Sequence, residues 1–221
     1  MTAPTDELTF DQRMARIEAV HQVQNVMSRY AYYHVANMHD RCLELSAINT
    51  PGVRAHMPFG VYEGKDGLER LYLGMLGRLD REPAGKMHMH TMTTPIIEVA
   101  RDLRTARGAW ISPGHATDSG GDGTFRASWR WVKYGCDFVT EDGQWKIWHL
   151  HLYGIFATPY DKSWVDSQPK PGGSAAAPPL PAEYRPDRPA DEFWQYRADA
   201  AVPNEPVLPD PYETFDSATA Y

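Results

Sequence analysis

A period-two pattern of apolar and polar residues runs through residues 145–160, WKIWHLHLYGIFATPY, directly after the turn signal EDG. This pattern predicts a β-strand, because successive side chains of a strand point to opposite faces. Strict alternation places one set on the same face: Trp145, Ile147, His149, His151 and Tyr153. That face begins apolar and ends with imidazoles and a phenol. The sequence therefore predicts a strand that forms the floor of a pocket, with core at its bottom and a ligand at its mouth.

Helical spacing precedes the strands. Apolar residues recur every three or four positions over residues 13–39, which predicts a long helix with Thr9 or Asp11 as its cap. One face of this helix is aliphatic first and then carries tyrosines, His34 and Asn37. We therefore expect the helix to begin in the core and to end at a polar cavity.

Shorter elements are predicted after this helix. They are, in chain order, a short helix at 41–50, a strand or hairpin edge at 53–62, a third helix after Gly64, and strands at 87–99, 104–117 and 125–139. In the last of these, Arg130 and Tyr134 share one face, and Trp129 and Trp131 share the other. Both sets cannot face a pocket without a bulge, so Tyr134 is expected to face inward with Arg130 on its side.

Two of the predicted strands carry the pattern His-x-His. His88 and His90 share a face with Met92, and the final strand adds His149 and His151. Four histidines on two strands that face one another are one arrangement of a metal site. Alternatively, these imidazoles line a pocket through hydrogen bonds alone. No acidic ligand stands at a convincing position beside them, so we assign no metal ligands.

Composition narrows the function classes. A hydrophobic share of 42% in 221 residues allows a core in one domain plus an extension, or in two small domains. The net charge of -7 argues against a nucleic-acid partner, because phosphate recognition requires clustered Lys and Arg. Seven Trp and twelve Tyr suit a core and also a site for flat apolar ligands.

The number of cysteines and the N-terminal sequence indicate the cellular compartment. Cys42 and Cys136 are too few for a disulfide framework, which favours a reducing cytoplasm. The first residues carry no export signal, and no stretch approaches a membrane span of about 20 apolar residues. We therefore expect a soluble, cytoplasmic protein with no membrane partner.

The composition changes at Ser163. Residues 166–221 hold most of the 18 prolines and include the linker-like stretch PKPGGSAAAPPLP. Aromatic residues that a disordered tail would lack follow this stretch: Phe193, Trp194, Tyr196, Tyr212 and Phe215. We predict a domain over residues 11–162 and a Pro-rich extension over 163–221 that packs on the body or on a neighbouring subunit.

The predicted order is a long helix, two shorter helices and then antiparallel strands that carry the site. This order is typical of an α+β cone, in which a curved sheet wraps around a helix. Four stretches in this order resemble the NTF2-like superfamily, in its SnoaL-like branch: VQNVMSRYAYYHVANMHD, VYEGKDGLERLY, HTMTTPIIEV and YGCDFVTEDGQWKIWHLH. The resemblance covers about residues 11–160 and excludes the tail.

The resemblance implies a function. The branch includes scytalone dehydratase, a dehydrochlorinase and polyketide cyclases, with ketosteroid isomerases as more distant relatives. Most need no metal and no cofactor, and they move protons with His, Asp and Tyr around an apolar ligand. His90 stands where a number of these enzymes carry a base histidine. The acidic partner near the end of the first helix is replaced here by Asn37, so a His–Asp pair does not carry over directly.

The residue inventory fits acid–base elimination on a small aromatic substrate. His90 is expected to act as general acid or base, while Tyr32, Tyr134 and His149 bind or polarise hydroxyl groups. The expected substrate-binding residues are Tyr33, His34, Asn37, Phe59, His88, Met92, Trp110, Arg130, His151 and Tyr153.

The resemblance extends to lyases that remove water and formaldehyde from a lignin-derived 1,2-diarylpropane-1,3-diol to give a stilbene. That reaction is our preferred specific hypothesis, with a homodimer or homotrimer as the expected assembly. One alternative is a dehydratase or isomerase of a polyketide-like or steroid-like ligand. Another is a binding module without catalysis, because fold similarity alone does not establish function.

Overall fold

The computed structural model describes residues 8–81, 83–119, 122–166, 181–190 and 195–221. The helical segments are α1 (Phe10–Val35), α2 (His39–Glu44), α3 (Gly64–Glu69), a π-helical segment (Arg70–Leu76), α4 (Gly77–Arg81) and two short 3-10 turns (Ala182–Tyr184 and Ser217–Thr219). The strands are β1 (Arg54–Met57), β2 (Gly60–Glu63), β3 (Met87–His90), β4 (Thr93–Val99), β5 (Thr105–Ser112), β6 (Gly114–Ser119), β7 (Phe125–Glu141) and β8 (Gln144–Pro159).

The strands form one open sheet in the order β2-β1-β8-β7-β5-β4, and β3 joins it through β6, which pairs with β7. Neighbouring strands are antiparallel apart from β1 and β8. The inner face of the sheet packs against α1, α2 and the π-helical segment to form the core. The predicted α+β class, with an N-terminal helix against a curved sheet, is confirmed.

Helix α1 begins at a capping box. The Thr9 hydroxyl accepts from the backbone amide of Gln12, and the Gln12 side chain accepts from the Thr9 amide, which satisfies two free donors of the first turn. The buried side of the helix runs from Ala19 to His34. Ile17, by contrast, is 62% exposed, so the stripe expected to be buried starts later than the sequence pattern suggested.

The two middle strands are each broken in two. The predicted strand over 87–99 is interrupted at residues 91–92, and that over 104–117 is interrupted at Pro113. Proline has no amide proton for the ladder, which explains the second break. As a result, β3 and β6 pair with one another, and β4 and β5 form a separate ladder.

A bulge in β8 corrects the predicted facing of its histidines. His149 pairs with Asp137 and Ile147 pairs with Phe138, so Trp148 is an extra residue between them. An extra residue exchanges the two faces of a strand beyond it. Ile147, Leu150 and Leu152 therefore point into the core. His149, His151 and Tyr153 point to the outer face of the sheet, opposite to the prediction.

Described parts of the tail contact this outer face. The amides of Gln195 and Tyr196 donate to the carbonyls of Gly154 and Ile155 at 2.8 and 2.9 Å. The Tyr221 ring lies on Gly135, where an added Cβ would be 2.6 Å from the ring.

Two of the tail aromatics picked out in the sequence also contact the body. Tyr212 bonds Thr105 through its hydroxyl, and the Phe215 ring packs on Trp148. Phe193 and Trp194 lie outside the described residues, and the domain division at residues 162–163 stays a prediction. No helix within the described ranges is long and apolar enough to cross a membrane.

Candidate active site

A cluster of histidines lies on the inner face of the sheet, where the end of α1 meets β3. His34 comes from the last turn of α1, His39 from α2, and His88 and His90 from β3. The His34 ring centroid is 5.5 Å from that of His90 and 6.3 Å from that of His88. Because residues two apart on a strand share a face, β3 presents both imidazoles to the same helix.

His88 has a carboxylate partner on the neighbouring strand. Its Nε2 lies 3.0 Å from Oδ1 of Asp118, which is two residues past its direct cross-strand partner Ala116. The other oxygen of Asp118 accepts from the guanidinium of Arg130, which also donates through Nε to Ser128 at 3.2 Å. The hydrogen bond from His88 and the positive charge of Arg130 hold the pKa of Asp118 below its usual value.

His34 and His39 form a second pair. Nδ1 of His34 lies 2.9 Å from Nε2 of His39, and both residues are buried. Burial lowers the pKa of His34 well below its usual value, and the neighbouring imidazoles of His90, His39 and His88 lower it further. His34 is therefore neutral at pH 7, and its ring shares a hydrogen bond with that of His39.

His90 has no carboxylate partner of its own. Burial, followed by the charge of Arg130 and the imidazoles of His88 and His115, lowers the pKa of His90 to about 4. Its Nδ1 is buried against Gly114, where an added Cβ would lie 2.8 Å from that nitrogen. The residue as a whole is half-buried.

Several polar atoms near this cluster have no hydrogen-bond partner among the described residues. They are Oδ1 of Asn37, Nδ1 of His88, Nδ1 of His90 and Oγ of Ser112. Ser112 ends β5, two residues before Gly114, which pairs with His90. Buried polar atoms are normally satisfied, so this group provides hydrogen-bonding capacity for water or for a hydroxylated ligand.

Buried tyrosines complete the inner wall. Tyr134 and Tyr30 are 1% and 2% exposed. Burial raises the pKa of both hydroxyls well above the usual value. Both hydroxyls stay protonated at neutral pH, and that of Tyr30 shares a side-chain hydrogen bond with Tyr72. The Tyr134 ring lies edge-on to His90, with centroids 6.5 Å apart.

The profile of a SnoaL-like domain matches residues 15–151 of this chain. The chain belongs to the SnoaL-like family. No curated protein matches it significantly in sequence.

Solved structures share the fold at low sequence identity. A candidate scytalone dehydratase from Novosphingobium aromaticivorans is 17% identical, with a TM-score of 0.50 over 70% of this chain and 94% of that one. A type 3 hexachlorocyclohexane dehydrochlorinase (LinA) from Novosphingobium barchaimii is 16% identical, with a TM-score of 0.52 over 68% and 96%. A candidate aromatic ring hydroxylase from Novosphingobium aromaticivorans is 17% identical, with a TM-score of 0.51 over 65% and 94%.

The structure of this SnoaL-like protein brings many of the predicted site residues together. His34, His88, His90, Arg130 and Tyr134 form the cluster described above. Other predicted residues pack in or against the core that surrounds it: Tyr33, Phe59, Met92 and Trp110. Asn37, which follows α1 with a φ of 55°, contributes one of the unsatisfied atoms.

Four predicted residues lie elsewhere. Tyr32 is 79% exposed on the outer side of α1, because it is two positions from the buried Tyr30 and His34 on a helix. His149, His151 and Tyr153 lie on the outer face of the sheet because of the bulge at Trp148. His149 bonds Asp137 there, with Nδ1 to Oδ2 at 2.7 Å.

The sequence pattern did not indicate three residues of the site: His39, Ser112 and Asp118. Asp118 lies just beyond the predicted strand over 104–117, although Gly114, Ala116 and Asp118 alternate as a strand requires. Pairing that strand with the one carrying His88 would have predicted the carboxylate contact.

The four histidines of the two His-x-His patterns do not converge. His88 and His90 lie on the inner face of the sheet, and His149 and His151 lie on the outer face. In the part of the chain that the structure describes, no group of three or more His, Cys, Asp or Glu side chains has the arrangement of a metal site. The four-histidine hypothesis is therefore wrong in its geometry.

Proposed function

We propose that this SnoaL-like protein is a cofactor-independent lyase that eliminates a leaving group from a hydroxylated aromatic molecule by acid–base chemistry. One observation carries the proposal: His90 and His88 share one face of β3 and approach the same helix end, and His88 bonds the carboxylate of Asp118 on the neighbouring strand. An elimination needs one group to remove a proton and another to protonate the leaving oxygen.

The electrostatics suit these roles. The low pKa of His90 keeps its imidazole neutral across the physiological range. The carboxylate of Asp118 orients His88 and stabilises a positive charge on its ring when it takes up a proton. Tyr134, held protonated by burial, donates a hydrogen bond to a developing oxyanion.

The carboxylate of this pair takes the place of the acid missing at Asn37. In the enzymes that the sequence resembles, the acidic partner of the histidine lies near the end of the first helix. Here the carboxylate comes from the sheet and bonds His88 instead of His90. Asn37 is left with an unsatisfied Oδ1, which suits a substrate hydroxyl as donor.

The finer proposal is loss of water and formaldehyde from a phenolic 1,2-diarylpropane-1,3-diol. Its support is the aromatic inner wall and the presence of two proton-transfer groups beside several unsatisfied polar atoms. A substrate with two hydroxyl groups would also engage more of these unsatisfied polar atoms than a simple alcohol.

The reaction balances without a redox partner. A base removes the proton of the terminal hydroxyl, and the bond between that carbon and its neighbour breaks to release formaldehyde. The electron pair of that bond forms the new carbon–carbon double bond. The benzylic hydroxyl leaves as water after it receives a proton from the acid. A para-hydroxyl group assists by expelling the benzylic hydroxyl through a quinone methide.

The experiment is turnover of a phenolic diarylpropanediol by the purified chain, with stilbene followed by absorbance and formaldehyde measured chemically. We expect equal amounts of both products. His90→Ala is expected to lower kcat by about a hundredfold or more while substrate affinity is kept. The control is His21→Ala, which removes an exposed histidine on the outer side of α1.

The possible results separate the alternatives. Dehydration of polyketide-like or steroid-like alcohols, without release of formaldehyde, supports the broader lyase and overturns the finer proposal. Binding without any turnover, unchanged in His90→Ala, identifies a binding module and overturns the lyase.

A further inference from the structure

A concave site lies on the outer face of the sheet, away from the histidine cluster. It is a cleft of about 1030 Å³ between β8 and the tail. A volume of this size accommodates a drug-sized ligand. The proposed elimination uses none of its residues.

The floor of this cleft is a row of three rings. His56 and His151 are direct partners on β1 and β8, and their rings stack with centroids 3.9 Å apart. Tyr153 stacks on the other side of His151, also at 3.9 Å. Side chains of a strand stand roughly perpendicular to the sheet, so the row turns its polar ring edges toward the cleft.

The protonation states of His151 and Tyr153 suit a neutral ligand that forms hydrogen bonds. Burial, the neighbouring His56 and the charges of Arg54 and Arg188 lower the pKa of His151 to about 3. Burial raises the pKa of Tyr153 well above its usual value. Both groups are therefore uncharged at neutral pH, and each is able to donate and to accept a hydrogen bond.

The residues that line the cleft do not favour the binding of an anion. The lining cations Arg107 and Arg197 are paired with Asp137 and Asp199. The lining also includes the carboxylates of Glu205 and Asp210. Apolar side chains from the tail supply much of the remaining wall: Pro203, Pro206, Val207 and Leu208.

We infer that this outer cleft is a second small-molecule site, which takes a neutral molecule with an apolar ring-containing body and hydroxyl groups. The apolar body packs on the proline-rich wall, and the hydroxyl groups bond the edges of His151 and Tyr153. This inference rests on the outer face alone and is independent of the reaction proposed for the inner face.

The probe is bisphenol A, which carries two phenols on an apolar body, and binding is measured by calorimetry on the full chain. His151→Phe keeps a stacked ring and removes its polar edge, and is expected to weaken binding about tenfold. Ala218→Trp fills the cleft from an exposed position on the tail and is expected to abolish binding there. The matched control is Ser217→Trp, at an exposed neighbouring position that does not line the cleft.

The dimethyl ether of bisphenol A, which lacks the donors, should bind more weakly than the diphenol. Bisphenol A binding that is equal in wild type, Ala218→Trp and His151→Phe overturns the inference, as does no binding to wild type. Turnover of the diol by Ala218→Trp is measured in parallel and should be unchanged. A loss of the outer site and a failure of the inner reaction are thus distinguished.

Discussion

Oδ1 of Asp118 lies 3.0 Å from Nε2 of His88, across the ladder that β6 forms with β3. The two residues are 30 positions apart in the chain, and Arg130 on β7 holds the second oxygen of the same carboxylate. A carboxylate that is hydrogen-bonded to an imidazole orients the ring and sets which ring nitrogen carries the proton. This contact therefore makes Asp118 a positioning residue for the proposed reaction.

Asp118→Asn is expected to lower kcat by about a hundredfold with little change in KM, because the amide keeps the size of the side chain and loses its charge. Steady-state kinetics on the diol measure both constants. Asp122→Asn is the control, since Asp122 is exposed and its contacts with Thr124 and Arg126 lie at the surface. A variant at Asp118 that is as active as the control contradicts this role.

Stability is expected to fall as the pH is lowered from about 6.5 toward 4. The pKa of His90 is about 4 and that of His151 about 3 in the folded protein, both below the ordinary value of 6.5. Between pH 6.5 and these folded-state pKa values, the unfolded chain binds more protons than the folded protein. The free energy of unfolding is therefore higher above pH 6.5 and falls as the pH is lowered through this window.

Thermal melting of wild type and His151→Phe across this pH range measures the contribution of His151. We expect the variant to lose less stability on acidification, because a phenyl ring has no proton to gain. His21→Gln, at an exposed position of α1, is the control for removal of a histidine. Identical slopes in all three proteins would count against the buried, neutral state of His151.

Gly135→Ala is expected to destabilise the protein by about 1–3 kcal/mol, because the added methyl group overlaps a packed ring. Its Cβ would lie 2.6 Å from the ring of Tyr221. Urea unfolding gives the free energy. In a Tyr221→Ala background the same substitution should cost less, and this coupling is the decisive measurement. Additive costs would show that the ring does not pack on Gly135.

Deletion of residues 170–221 is expected to lower the melting temperature. The deletion removes the backbone bonds of Gln195 and Tyr196 to β8 and the bond between the Tyr221 amide and the buried Asp137 carboxylate. Leaving a buried carboxylate with fewer partners is costly. Calorimetry measures the shift, and light scattering shows whether a homodimer or homotrimer is lost with it. An unchanged melting temperature and mass would contradict a structural role for the tail.

Chelation is expected to leave turnover unchanged. Nε2 of His88 and Nδ1 of His34 are already engaged by Asp118 and His39. Dialysis against EDTA, followed by metal analysis and an activity assay, provides the measurement. Loss of activity that zinc or iron restores would overturn the cofactor-independent proposal.

The sequence by itself determined the fold class, the element order and much of the inner site. These features depend on local signals: the helical spacing that ends at Tyr30 and His34, the capping sequence at Thr9, and the alternation that carries His88 and His90. Each acts within a few residues, so it can be read without knowing which strands pair.

The tertiary structure alone decided the facing of the last strand and the carboxylate partner of His88. Trp148 is an ordinary strand residue by its pattern, and only its pairing with β7 shows that it is extra and sends His149 and His151 outward. Asp118 meets His88 through strand pairing over a long chain separation. Such contacts depend on register, which one inserted residue reverses, and register is a property of two strands together.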